Sequence, residues 1–304
     1  MFHRRSATHL VACSIAAGLA VAAPAHADVA PLDLLSDYDV RIDGAVGEDR
    51  SGSSVAGAGD MNGDGYDDVV IGAPYADNNA RIDSGSSYVV FGRNTAVVDL
   101  ADLGSRGFVI DGVAANDRDG FWVAGAGDVN GDGFDDVVVG PRYSDRDGSG
   151  TSGSYGSSSY VIFGGADTGR LDLADLGSRG FRIDPADGYR GPCSGTGAGD
   201  VNGDGYDDVL IGAQVASTGD RAGSGSSYVV FGTADGGDVD LSELGPRGFR
   251  IDGATVGEYS GWSVAGAGDV NADGYEDVLI GAREADNNAR RNSGSSMLTA
   301  GPGA

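Results

Sequence analysis

Asp60-Met61-Asn62-Gly63-Asp64-Gly65-Tyr66-Asp67-Asp68 runs directly into Val69-Val70-Ile71-Gly72-Ala73. An acidic, glycine-bearing turn that opens onto an apolar run reads as half of a β-hairpin. Asn, Asp and Gly make the turn, and the β-branched run makes a buried strand. The stretch recurs at 128–136, 200–208 and 269–277, each time led by Ala-Gly-Asp, at offsets of 68, 72 and 69 residues. Self-similarity at such a period makes the chain an array of four copies of one unit.

Each copy predicts four strands. Strand A is expected over 53–59, 121–127, 193–199 and 262–268, and strand B over 68–73, 136–140, 208–213 and 277–282. Strand C is expected over 86–91, 157–163, 226–231 and 294–299, and strand D over 107–111, 180–184 and 248–252. Between C and D, Leu100-Ala101-Asp102-Leu103-Gly104 is echoed at 173–177 and 241–245, and each copy predicts one helical turn. A further D strand, Tyr38-Asp39-Val40-Arg41-Ile42-Asp43-Gly44, precedes the first A strand, and the last unit stops after its C strand. Pairing of 38–44 with 294–299 would complete the last sheet and remove an exposed edge. Radially arranged four-stranded sheets closed this way make a β-propeller. The reading is therefore all-β, with four four-stranded blades over about 45–112, 113–184, 185–252 and 253–299, closed by the N-terminal strand.

The loops carry the chemistry. Oxygen-bearing side chains stand at positions 1, 3, 5 and 9: Asp60, Asn62, Asp64 and Asp68; Asp128, Asn130, Asp132 and Asp136; Asp200, Asn202, Asp204 and Asp208; Asp269, Asn271, Asp273 and Asp277. Position 6 is always Gly, where the chain must turn sharply. A hard cation such as calcium takes six to eight oxygens, which three carboxylates, one amide, a backbone carbonyl and water supply. The carbonyl is expected from position 7 (Tyr66, Phe134, Tyr206, Tyr275), whose ring packs. About four calcium ions per chain follow. An EF-hand would need Glu at position 12, where the chain has Ile71, Val139, Ile211 and Ile280. Turn chemistry alone does not require the same Asp and Asn at those positions four times.

Composition bounds the rest. Arg4 and Arg5 precede an apolar run to Ala23 that ends in Ala25-His26-Ala27, which predicts a signal peptide over 1–27 and a secreted, extracellular chain over 28–304. Sec and twin-arginine export both remain open. Cleavage removes all three histidines and one of two cysteines, so no Ser-His-Asp triad, Cys-His pair or His-bearing zinc site can form. It also takes the formal charge from −26 to −28, since Arg4 and Arg5 leave and no acid does. Such a field opposes nucleic acid, and no stretch calls for membrane insertion. Cys193 and the tryptophans Trp122 and Trp262 read as core, and Arg106, Arg179 and Arg247 as partners of nearby carboxylates.

Phe-Gly at 91–92, 163–164 and 231–232, with Gly-Ala-Pro at 72–74 and Gly-Ala at 212–213 and 281–282, resembles the FG-GAP repeat of integrin α-subunit propellers. The resemblance covers about 38–299. The second copy departs from it with Gly140-Pro141, and the last C strand ends Met297-Leu298-Thr299-Ala300 without Phe-Gly. Family propellers usually have seven blades. The resemblance implies a calcium-dependent binding or adhesion module with a protein or glycan ligand. Two alternatives stay open: a secreted enzyme of polysaccharide lyase or phospholipase type on a propeller scaffold, and a truncated piece of a larger propeller.

Overall fold

The computed structural model describes residues 40–92, 97–141, 158–166, 169–186, 193–287 and 289–299. The expected signal peptide lies outside them. The first unit contains β1 (Arg41–Asp43), β2 (Ser54–Gly59), β3 (Asp68–Ala73), β4 (Ser86–Val90), β5 (Val97–Asp99) and β6 (Gly107–Asp111). The second has β7 (Trp122–Gly127), β8 (Asp136–Gly140), β9 (Ser159–Ile162), β10 (Leu171–Asp172) and β11 (Gly180–Asp184). The third has β12 (Ser194–Gly199), β13 (Asp208–Ala213), β14 (Ser226–Val230), β15 (Val239–Asp240) and β16 (Gly248–Asp252). The fourth has β17 (Ser260–Gly268), β18 (Asp277–Ala282) and β19 (Ser295–Thr299).

Within a unit the strands form an antiparallel meander, β2-β3-β4-β6 in the first, because each connection is short enough to fold straight back. The second strand of each meander reads Val-Val-Ile or a near copy, and in the second and third blades both its faces are buried. Val70, Val138 and Leu210 face one way and Ile71, Val139 and Ile211 the other, all essentially excluded from solvent. Consecutive blades pack face to face, and the hydrophobic cores lie between them. Val70 and Val89 of the first blade meet Val137 and Val139 of the second. Leu210 and Val229 of the third meet Val278 and Ile280 of the fourth. Each first strand slips register just before its loop, at Gly57/Gly59, Gly125/Gly127, Gly197/Gly199 and Gly266/Gly268. Such bulges bend the strand end and aim the following turn.

The connections between C and D strands hold a short strand that the sequence pattern did not predict. β10 pairs in parallel with β6 of the preceding blade (Leu171↔Ile110), and β15 pairs in parallel with β11 (Ile183↔Val239). The helical turn follows at Leu100–Asp102 and Leu173–Asp175, where Asp99 and Asp172 accept from the amides of Ala101 and Ala174. In the third copy Leu241 and Ser242 form a plain turn, and helix appears later at Gly245–Arg247.

The expected closure is corrected. β1 does not lie against the last C strand; it pairs in parallel with β5, Arg41↔Val97 through Asp43↔Asp99. That pairing repeats what β10 does to β6, so β1 stands as the D strand of a position ahead of the first blade. The last sheet accordingly has three strands, β17-β18-β19.

Candidate metal centre

Each loop is built by its own backbone amides. In the first, Asp60 accepts from the amides of Asp64 (Oδ1, 3.0 Å) and Gly65 (Oδ2, 2.9 Å). Asn62 Oδ1 accepts from the Asp64 amide at 2.8 Å, and Asp64 Oδ1 from the Tyr66 amide at 3.1 Å. Positions 1 and 3 thus converge on one nitrogen. The pattern repeats around Asp128, Asn130 and Asp132, around Asp200, Asn202 and Asp204, and around Asp269, Asn271 and Asp273. Position 6 has φ between 87° and 93° in all four loops, the left-handed conformation that glycine takes without strain.

Position 9 is the buried corner. Asp68, Asp136, Asp208 and Asp277 are all excluded from solvent. Asp68 accepts from the Met61 amide at 3.0 Å and, with its other oxygen, from the Gly92 amide at 2.8 Å. Gly164 and Gly232 serve Asp136 and Asp208 in the same way, at 2.8 and 2.9 Å. The Gly of each Phe-Gly is therefore the donor that holds the loop's last carboxylate. A Cβ at Gly92 would stand 2.3 Å from the Asp67 carbonyl oxygen, so only glycine brings the amide close enough. The Phe beside it packs on the D-strand ring of the same blade, Phe91 on Phe108 at 6.2 Å.

Burial is the largest influence on Asp68, Asp136 and Asp208, and it raises all three. The bonded amides pull them back, and the carboxylates of positions 5 and 1 push them up again. Asp68 is raised to about 6, Asp208 to about 7 and Asp136 to about 8. Desolvated carboxylates facing other carboxylates favour either a proton or a cation.

Position 8 was missed by the sequence reading, although an acid recurs there as Asp67, Asp135, Asp207 and Glu276. Asp135 accepts from the Asp60 amide at 2.7 Å and donates its own amide to the Asp60 carbonyl at 3.3 Å. Asp207 clamps Asp128 likewise, at 2.8 and 3.1 Å, and the Glu276 amide bonds the Asp200 carbonyl at 3.2 Å. Each loop is thus tied to the one before it. The rings of position 7 do pack, on the preceding loop: Phe134 over Gly63, Tyr206 over Gly131 and Tyr275 over Gly203. Among the described residues no such loop lies against Tyr66, which is exposed.

Other expectations divide. Cys193 is buried as a small apolar group, and the Trp122 ring lies against Gly140 and Gly195. Trp262 is instead 43% exposed, with the Arg283 guanidinium 3.4 Å over its ring. Arg106 bonds the backbone carbonyls of Leu103, Val97 and Asp102. The Arg179 and Arg247 guanidiniums lie over Phe108 and Phe181 of the blade before.

The donors present are all hard oxygens, the set calcium prefers over softer metals. Among the described residues, no three Asp, Glu, His or Cys side chains stand together as a preformed cage. The donors fit the ion in kind, and the amides now occupy some of their lone pairs.

Fold and loops together define a class: blades of a propeller, each with an acidic hairpin turn locked to its neighbour. The FG-GAP repeat model matches residues 51–90, 120–162, 194–230 and 260–296, and the chain belongs to this family. It is 28% identical over 263 residues to integrin alpha pat-2 of Caenorhabditis elegans, covering 79% of this chain and 18% of that protein. It is 30% identical over 234 residues to integrin alpha-PS2 of Drosophila melanogaster, covering 75% and 15%. It is also 30% identical over 209 residues to the phosphatidylinositol-glycan-specific phospholipase D of Mus musculus, covering 68% and 23%. The chain therefore spans less than a fifth of the length of these two integrin relatives. No helix among the described residues is long and apolar enough to cross a membrane.

Proposed function

We propose that the chain is an extracellular adhesion-type binding module whose blades are stiffened by about four calcium ions, one in each loop. The observation that carries the reading is the fourfold recurrence of a buried aspartate at position 9, which in the first three loops faces the carboxylates of positions 1 and 5. Calcium bound there would neutralise that repulsion and lock strands A and B of each blade. Asp60, Asn62, Asp64 and Asp68, with the Tyr66 carbonyl, would hold the first ion. The counterparts are Asp128 to Asp136 with Phe134, Asp200 to Asp208 with Tyr206, and Asp269 to Asp277 with Tyr275. Likeness to integrin alpha subunits favours a protein or glycan ligand on the blades. Cleavage after Ala27 would leave no histidine, which counts against histidine-dependent hydrolysis.

The test has two parts. Titration calorimetry on the purified chain should count about four calcium ions, and Asp64, Asp132, Asp204 and Asp273 changed together to Ala should abolish the heat. An array of extracellular glycans and matrix proteins should then be bound by the calcium-loaded chain and released by chelator. The phospholipase reading, favoured by the phospholipase D relatives, requires turnover of a glycosylated phosphatidylinositol. Turnover without calcium-dependent array binding would replace the adhesion reading.

A further inference from the structure

The three internal blade contacts are copies of one interface with two unlike halves. The forward half is made by position 2 of the loop (Met61, Val129, Val201), the second strand (Val70, Val138, Leu210) and the third (Val89, Val161, Val229), all fully buried. The backward half is made by the first residue after the loop, Val137, Val209 and Val278, again fully buried. Each half occurs once more without its complement. On the fourth blade the forward positions are Val270, Leu279 and Leu298, which are 57%, 38% and 48% exposed. On the first blade the backward position is Val69, 37% exposed, and beside it Val55 is 66% exposed where Val123 of the next blade is buried. A groove lined by Val40, Ile42, Val55, Val69, Ile71 and Leu100 opens there. A terminal unit of a stacked array carries a polar outer face when it is to stay alone, and neither end does.

The strands show the same pair of halves. Among the described residues, the fourth sheet ends on β19 with no D strand, while β1 is a D strand with no C strand beside it. Val40-Arg41-Ile42-Asp43-Gly44 repeats Phe249-Arg250-Ile251-Asp252-Gly253, which lies on β14 with Ser226↔Asp252 and Tyr228↔Arg250. That register sets Asp43 opposite Ser295 and Arg41 opposite Met297. In the third blade the Ser226 hydroxyl donates to Asp252 at 2.9 Å, and Ser295 and Asp43 supply the same two groups. Asp67 keeps the amide and carboxylate with which Asp135 and Asp207 clamp the preceding loop.

We propose that the chain pairs head to tail with a second copy. The forward face and β19 edge of the fourth blade receive the backward face and β1 of the other copy's first blade. An interface with unlike halves generates a ring when the rotation closes. Two copies give eight blades, inside the range of closed propellers, whereas three would give twelve, outside it. The contact departs from the internal ones at Ala272, which replaces the glycine on which a position 7 ring rests, so Tyr66 of the second copy must turn aside there.

Sedimentation of the calcium-loaded chain should give a mass of two chains. Val55→Asp and Leu298→Asp, each at an exposed position, should each weaken the pair about a hundredfold by breaking both contacts of the ring. Mixing the two variants should restore a pair, because one contact of the mixed ring is intact; this also shows that both variants are folded. Arg41→Cys with Met297→Cys, in a Cys193→Ala background, should oxidise to a product of twice the chain mass. A monomeric chain, mixed variants that stay apart, or a cross-link confined to single chains would each overturn the second copy as occupant. The last would assign both faces to closure of the chain on itself.

Discussion

The loops at 200–208 and 269–277 differ at two of their residues, Gly203 against Ala272 and Asp207 against Glu276, yet their surroundings have little in common. Val201 is fully buried and Val270 is 57% exposed. Gly232 donates to Asp208 at 2.9 Å, whereas Asp277, whose unit lacks a Phe-Gly, has the Asn271 side-chain amide at 3.5 Å. Glu276 bonds the Asp200 carbonyl and the Tyr275 ring covers Gly203. A loop of this kind is finished from two directions: by the Phe-Gly of its own blade and by positions 7 and 8 of the next. The repeat is a unit of sequence, but the loop tied from both sides is a property of the junction.

The largest expected effect is on all loops at once. With free calcium at a hundred times the dissociation constant, each site adds about 2.7 kcal/mol, so four approach about 11 kcal/mol. Chelation should lower the melting temperature by tens of degrees, and a melting curve indifferent to chelator and to excess calcium would remove calcium from the account.

Acidity comes next. Asp68, Asp136 and Asp208 keep protons in the fold, to about pH 6, 8 and 7, that an unfolded aspartate releases near 3.8. Their contribution is full below about pH 4 and lost as pH rises through those folded values, with a slope of up to about 1.4 kcal/mol per pH unit for each group. In chelator the urea midpoint should fall across that window, and calcium should flatten the curve; a midpoint rising with pH in chelator would break the assignment.

Single sites should then separate the two kinds of loop. Asp204→Ala should cost about the full 2.7 kcal/mol of one saturated site, measured as a shift in thermal midpoint at fixed calcium. Asp273→Ala should cost less, because the fourth loop is wetter and should bind more weakly. Equal shifts would make the junction irrelevant.

The smallest effect is one exchange with opposite signs. Gly203→Ala places a methyl 2.7 Å from the Tyr275 ring at φ +76° and should destabilise by about 1–3 kcal/mol. Ala272→Gly relieves a left-handed alanine at φ +62° that no ring covers and should stabilise by up to about 1 kcal/mol, read from denaturant midpoints.

What could be read without coordinates was local. The second strand of each unit and the fourth strand of the first three were legible to the residue, since Asp-Val-Leu-Ile-Gly-Ala and Gly-Phe-Arg-Ile-Asp carry their own boundaries. The turn that positions 1, 3, 5 and 6 build was legible because each of its hydrogen bonds acts within nine residues. Contacts whose partner sits one unit away were not. β10 and β15 are two residues long and gain strand character only from a parallel neighbour in the blade before. The acid at position 8 repeats as faithfully as the loop itself, but its partner is 75 residues earlier in the case of Asp135. Trp262 occupies the place of buried Cys193, and nothing in its neighbours announces that the face around it is uncovered. The N-terminal strand was recognised for what it is and assigned the wrong partner, because its sequence states its role in a blade and not which blade receives it.

The parallel strands between blades also set an order of events for a chain that emerges from its N-terminus. β6 cannot acquire its outer neighbour until Leu171 and Asp172 have appeared, 61 residues after Ile110 and Asp111. β11 waits in the same way for Val239. Each blade is therefore left with one raw margin until most of its successor has been made, and assembly advances along the chain like a zip running one tooth behind the hand. Such a lag keeps the newest unit plastic while the one behind it hardens, so an interruption leaves a single unfinished blade instead of a tangle of four.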